Sequence, residues 1–193
     1  MQNLYCVPNE VWNKLYDNRI IRISGEINSE MASDICSTML AMDDDNHKPI
    51  MLYIDSPGGE VNGGLQIIDT INTLQSPVFT INVAMCASMA AVILSAGAKR
   101  MSLPHARVMI HQVSSGMQGN IQDMMINLEE TKHLNDVVMN ILAENCNKKL
   151  DDIKNDTVRD RWLYPEDAIQ YGIIDEITGN KKRKIYKEGG TES

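Results

Sequence analysis

Two strand-to-helix junctions in this chain carry the residue types that chemistry needs. The first is Ser56-Pro57-Gly58-Gly59, which follows the short apolar run from Ile50 to Ile54. Paired glycines after a strand open backbone conformations closed to other residues and leave N–H groups accessible. Such a turn could cradle a phosphate, although no lysine follows it as a P-loop requires. It could equally offer an N–H to an oxyanion, or be an ordinary tight turn. The second junction is Cys86-Ala87-Ser88-Met89-Ala90-Ala91. Ser88 falls where a strand ends and a helix begins, among neighbours too small to shield it. A hydroxyl there is exposed, with a helix N-terminus close to any negative charge that develops. A serine on a sharp turn of this kind can serve as a nucleophile; as a helix cap it would have a humbler use.

A serine nucleophile needs a base, and the chain has four histidines. His47 lies in an acidic loop, His105 follows Pro104 in a turn, and His133 falls mid-helix. His111 ends the strand Arg107-Val108-Met109-Ile110, where side chains can line a cleft at a sheet edge. It is the best placed of the four. Cys86 is a rival nucleophile, but its apolar neighbours raise a thiol's pKa. The cysteines at 6, 36, 86 and 146 form no C-x-x-C pair, so neither a disulfide scaffold nor metal-ligand spacing is present.

The elements that must position these residues can be read from periodicity. Arg19 to Ile23, Ile50 to Ile54, Val78 to Val83 and Arg107 to Ile110 read as strands. Met31, Ile35 and Met39 recur at helical spacing with Ser29 as cap, and Val61, Leu65, Ile68 and Ile71 mark a second helix. Ala87 to Ala96 is a third, with Gly97 as its C′ residue. Residues 1–18 are a polar lead-in with at most a helical turn. From Asn120 to about Asn145 the apolar positions keep helical phase for roughly 39 Å. That is long for a domain of this size, so part of the helix should reach past the core onto another subunit. Alternating strands and helices predict an α/β fold with mainly parallel pairing.

The 193 residues suit one compact domain, residues 1–193, with a substantial core. The formal charge is −8, yet the tail 181–193 holds five Lys/Arg against two Asp/Glu. The body is therefore strongly acidic, which argues against nucleic acid as the main ligand. The tail reads as a solvated, frayed terminus. No apolar run approaches membrane-spanning length and no signal segment opens the chain, so a cytosolic location is expected. The apolar fraction is unusual, with 13 Met and a single Phe.

Several separated motifs, in order, resemble the proteolytic subunit of the Clp protease, ClpP. They are Asp55-Ser56-Pro57-Gly58-Gly59, Ala87-Ser88-Met89-Ala90-Ala91, Leu103-Pro104, Arg107 to Gln112, Asp156-Thr157, Arg159-Asp160-Arg161 and Tyr171 to Asp175. The resemblance runs from about Asn13 to Ile177. It implies a serine endopeptidase in which Ser88 attacks, His111 takes the proton and Asp160 orients the imidazole. The N–H groups of Gly59 and Met89 fall at the family's oxyanion positions. It also implies a crotonase-like spiral of β-β-α units, with helix 120–145 as a protruding handle between two stacked seven-membered rings. The implied partners are an AAA+ unfoldase and the unfolded polypeptides that it threads in. No metal or nucleotide is required by the peptidase itself.

The chain departs from the family pattern in places. Its N-terminal lead-in is shorter, and the loop around Lys99 lacks two residues. Val113 stands where a proline is usual, and Val158 where an acid often pairs with the arginine at 159. Aromatic docking positions of the family match Met51, Thr73 and Met101 here, while Tyr53 is kept, so unfoldase docking is expected to be altered. Two other classes compete: a weakly active or non-catalytic subunit of a mixed ring, and an acyl-CoA enzyme of the wider crotonase superfamily.

Overall fold

The structure, a computed structural model, describes residues 9–114, 116 and 118–179. The tail 181–193, the first eight residues of the lead-in, Cys6 among them, and Ser115 lie outside the described residues. The order is α1 (Asn9–Asp17), β1 (Ile20–Ser24), α2 (Ser29–Asp45), β2 (Ile50–Ser56), α3 (Val61–Thr73), β3 (Val78–Ala87) and α4 (Met89–Ser95). Then come β4 (Lys99–Ser102), β5 (Arg107–Ile110), α5 (Ile121–Asn145), α6 (Leu150–Asp156), β6 (Arg161–Leu163), α7 (Pro165–Tyr171) and β7 (Glu176–Ile177).

The seven strands form one sheet in the order β1-β2-β3-β4-β7, with β5 on β3 and β6 on β5. All pairs are parallel except β5 with β6. Alternation along β2 shows how the sheet makes a core. Ile50, Leu52 and Ile54 are fully buried and cluster with Ile35 and Met39 of α2 and Ile67 and Ile68 of α3, while Met51 and Tyr53 face the other way, half-buried. Met39, Met42, Met89, Met101 and Met139 are buried, whereas Phe79 is only partly so. Flexible thioethers thus fill space that rings fill elsewhere.

β3 is longer than the pattern Val78 to Val83 predicts, and the extra residues matter for the site. Its first half, Phe79 to Asn82, pairs with β4, and Met85 to Ala87 pair with β5. Against β2 the register slips, since Ile54 faces Asn82 while Ser56 faces Cys86. A bulge of this kind bends a strand and re-aims the residues beyond it. The residue that leaves the end of this strand is Ser88.

Other boundaries also differ from expectation. The lead-in holds a nine-residue helix, α1. Asn28, not Ser29, caps α2, its Oδ1 accepting from the Met31 N–H at 2.9 Å; Ser29 pairs instead with Glu60. Gly97 follows α4 without a left-handed φ. Its lack of a Cβ makes room for Thr80, whose side chain would otherwise collide with one. α5 is capped by Asn120, which accepts from the Asp123 N–H at 2.9 Å. Its buried residues, Val138, Met139, Leu142 and Ala143, all lie in its C-terminal half, whereas Ile121 and Ile126 are 73% and 65% exposed.

Near the C-terminal end of α2, Asp43 accepts from the Ser76 N–H at 2.7 Å and the Gln75 N–H at 3.2 Å. The hydrogen bonds from Ser76, helped by Gln75 and His47, lower its carboxyl from 3.8 to about 2. Because the folded pKa lies below the unfolded one, this stabilisation is present above ~pH 4 and is lost as pH falls toward ~2. Chemical denaturation between about pH 5 and pH 2 should therefore show stability falling, with a shallower fall in Asp43→Asn. Equal slopes in the two proteins would exclude this assignment.

Candidate active site

Ser88 begins with its backbone. It has φ +55° and ψ −126°, a conformation unusual for a non-glycine residue. It is held there because its N–H donates to Met109 O at 2.8 Å while its own carbonyl accepts from the Ala91 N–H at 2.9 Å. One bond belongs to the sheet and the other to helix α4, so the turn between them is over-determined. Although Ser88 occupies the N-cap position, its side chain makes no capping bond. Its hydroxyl instead lies 2.8 Å from His111 Nε2.

His111 follows β5, which pairs with the end of β3 immediately before Ser88. That pairing sets the hydroxyl–imidazole distance. The other ring nitrogen, Nδ1, lies 3.5 Å from Asp160 Oδ1. This is an ion-pair contact rather than a short hydrogen bond, and Asp160 is 62% exposed. Among the described residues no other carboxylate comes within 4 Å of His111. Asp160 precedes β6, whose antiparallel pairing with β5 sets Arg161 opposite Ile110. The loop beyond His111 is tied by Gln112 N–H to Thr157 O at 3.1 Å and by Val113 N–H to Asn135 Oδ1 at 3.0 Å.

The glycine turn lies beside this pair. Gly58 has φ +95° and Gly59 φ +151°, and a Cβ on Gly58 would strike Ala87 O and Ser88 Cβ. The two glycines let the turn press against the serine. Gly59 forms a parallel bridge with Ile27, fixed by Ile27 N–H to Gly58 O at 2.8 Å and Glu60 N–H to Ile27 O at 2.9 Å. Among the described residues the N–H groups of Gly59 and Met89 donate to no protein acceptor. Both residues line the same cleft as Ser88 and His111.

Cys86 is absent from that cleft. It is fully buried, and burial, reinforced by the Asp55 carboxylate, pushes its thiol well above the usual range. A thiol held protonated is no nucleophile. Asn135 and the aliphatic walls of the cleft, Val92 above all, were not visible as site residues in the sequence. Val61, Val138 and Leu142 carry helical periodicity there, which marks them as apolar but not as facing a serine.

With its proton on Nδ1 toward Asp160, His111 can accept the Ser88 proton at Nε2. The activated oxygen can then attack an acyl carbon whose oxygen lies between the two free N–H groups. The fold and cleft thus describe an α/β scaffold with an arrangement competent for acyl transfer. The family model for Clp protease matches residues 6–181, and the chain belongs to that family. It is a family of peptidases with this α/β architecture. Among the described residues no helix is long and apolar enough to cross a membrane.

Proposed function

We propose that the protein is a serine endopeptidase, the proteolytic subunit of an ATP-dependent Clp-type protease. Ser88 is its nucleophile and His111 its general base. Asp160 holds the imidazole tautomer and balances the imidazolium. The N–H groups of Gly59 and Met89 stabilise the oxyanion. The observation that carries this reading is the 2.8 Å contact between Ser88 Oγ and His111 Nε2 at a serine with φ +55°.

In the first step the Ser88 proton passes to His111 as Oγ bonds to the peptide carbon. The tetrahedral intermediate collapses when the imidazolium gives that proton to the leaving amine. Water then enters by the same route and frees the acid. No metal or nucleotide takes part in these steps. The exposed half of α5 supports assembly, since Ile121, Met125 and Ile126 together put more apolar surface on one helix than water favours. In this reading the chain is one peptidase domain, α5 is the handle between two stacked seven-membered rings, and the chamber takes unfolded polypeptide from an AAA+ unfoldase in the cytoplasm. Replacement of aromatic side chains at Met51 and Thr73 gives that unfoldase a less rigid docking surface.

One observation favours a weakly active ring subunit as the second reading: the 3.5 Å separation between His111 and Asp160. A fluorophosphonate probe separates the two. The active peptidase should be labelled, with the adduct mapped by mass spectrometry to Ser88. Assembled, folded protein that takes no label would support the weakly active subunit.

A further inference from the structure

Beside Ser88 the cleft has an aliphatic recess. Its walls are Val61, Val92, Ile110, Val113, Val138 and Leu142, drawn from α3, α4, β5, the loop after β5 and α5. Its polar lining residues are Ser88, His111 and Ser114, and it holds no Asp, Glu, Lys or Arg. Its volume is about 60 Å³. A cavity of ~150 Å³ is what a benzene ring requires, and a water takes up ~30 Å³. The recess therefore has room for one to three methyl groups and none for an aromatic ring.

The lining is also resistant to widening. Val92 and Val138 are 2% and 4% exposed, and β-branched side chains keep few rotamers in a helix. Met89, the flexible residue that could have yielded, is folded away from the recess onto α3. A Cβ added to Gly64 would collide with Met89 Cγ, Sδ and Cε. A larger side chain would have to move whole helices, whose close packing opposes it.

Resting on the catalytic reading above, we propose that this recess receives the side chain preceding the scissile bond and limits it to small aliphatic residues, from alanine to valine in size, with Val92 and Val138 setting the limit. Once the carbonyl carbon sits at Ser88 Oγ with its oxygen toward Gly59 and Met89, the recess is the space beside it. Charged side chains find no partner there, and rings find no room.

The test is a peptide series identical except for Ala, Val, Leu or Phe before the cleaved bond, assayed on the assembled protein. Ala and Val peptides should exceed the Phe peptide by ~100-fold in kcat/KM, since one or two surplus methylenes in a tight pocket already cost ~10–200-fold. Val92→Ala and Val138→Ala should each raise the Leu-to-Ala ratio by ~10-fold. A ratio taken on one preparation is unaffected by the fraction that folds, and the two positions check each other. Labelling by a fluorophosphonate without a bulky side chain reports on Ser88 separately. If the protein is labelled yet cleaves Phe and Ala peptides equally, or neither variant moves the ratio, the size limit is overturned while the catalytic reading stands. If the assembled protein takes no label, both fall together.

Discussion

Ser88→Ala is expected to lower the rate of peptide hydrolysis by roughly 10⁴- to 10⁶-fold, the scale on which nucleophile removal acts in serine peptidases. The loss is chemical, because the substitution deletes one atom that the fold does not use. The Ser88 hydroxyl has His111 Nε2 as its partner and plays no part in capping α4. Alanine keeps the Cβ, so φ +55° costs no more than it does now. Circular dichroism and the oligomeric state should be unchanged, and fluorophosphonate labelling should vanish. Turnover close to that of the parent would remove Ser88 from the mechanism. Buried, protonated Cys86 could not replace it without rebuilding the end of β3.

The second large effect is expected at Gly59→Ala. A Cβ at φ +151° would run into the backbone of Ile27, with Ile27 N at 2.7 Å and Ile27 C at 2.9 Å. The bridge between Ile27 and Gly59 cannot survive at its present spacing, and the Gly59 N–H must shift with it. Removing one oxyanion donor typically costs ~10²–10³ in kcat. The expected result is therefore a fall of that order in kcat, with KM changed far less and phosphonylation of Ser88 slowed in parallel. The protein should also melt at a lower temperature. If melting drops while kcat holds, the turn is structural only and the Gly59 N–H is no oxyanion donor.

What the sequence discloses of this molecule depends on how local the information is. The helices around Met31 to Met39, Val61 to Ile71 and Ile121 to Leu142 are visible because an apolar stripe repeats along each. Strands β4, β6 and β7 are not, because two to four residues leave no periodicity; they are strands only because neighbours pair with them. The bulge in β3 belongs to the same class, since nothing in Val83-Ala84-Met85 signals a register slip. For the site, the strand-to-helix position of Ser88 and the paired glycines can be read locally. His111 can be ranked on position. Asp160 cannot, because it is one acid among 26 Asp and Glu and reaches His111 only through β6 pairing with β5. It was the resemblance of several motifs in order that singled it out. The valine walls are hidden for a related reason, being spread over three helices.

That antiparallel pairing of β6 with β5 has a temporal side. Ser88 and His111 are brought together by β3 and β5, which are close in the chain, so the hydroxyl and imidazole can meet early in synthesis. Asp160 and β6 emerge about fifty residues later, and at ~5–20 residues per second that interval lasts several seconds. β7, which pairs with β4 across the sheet, emerges later still. A ribosome-bound fragment ending after α5 thus carries a nucleophile and base without the acid that orients them. The order of the elements along the chain therefore delays a complete triad until almost the whole subunit has been made, when its own neighbours are nearly ready to enclose it.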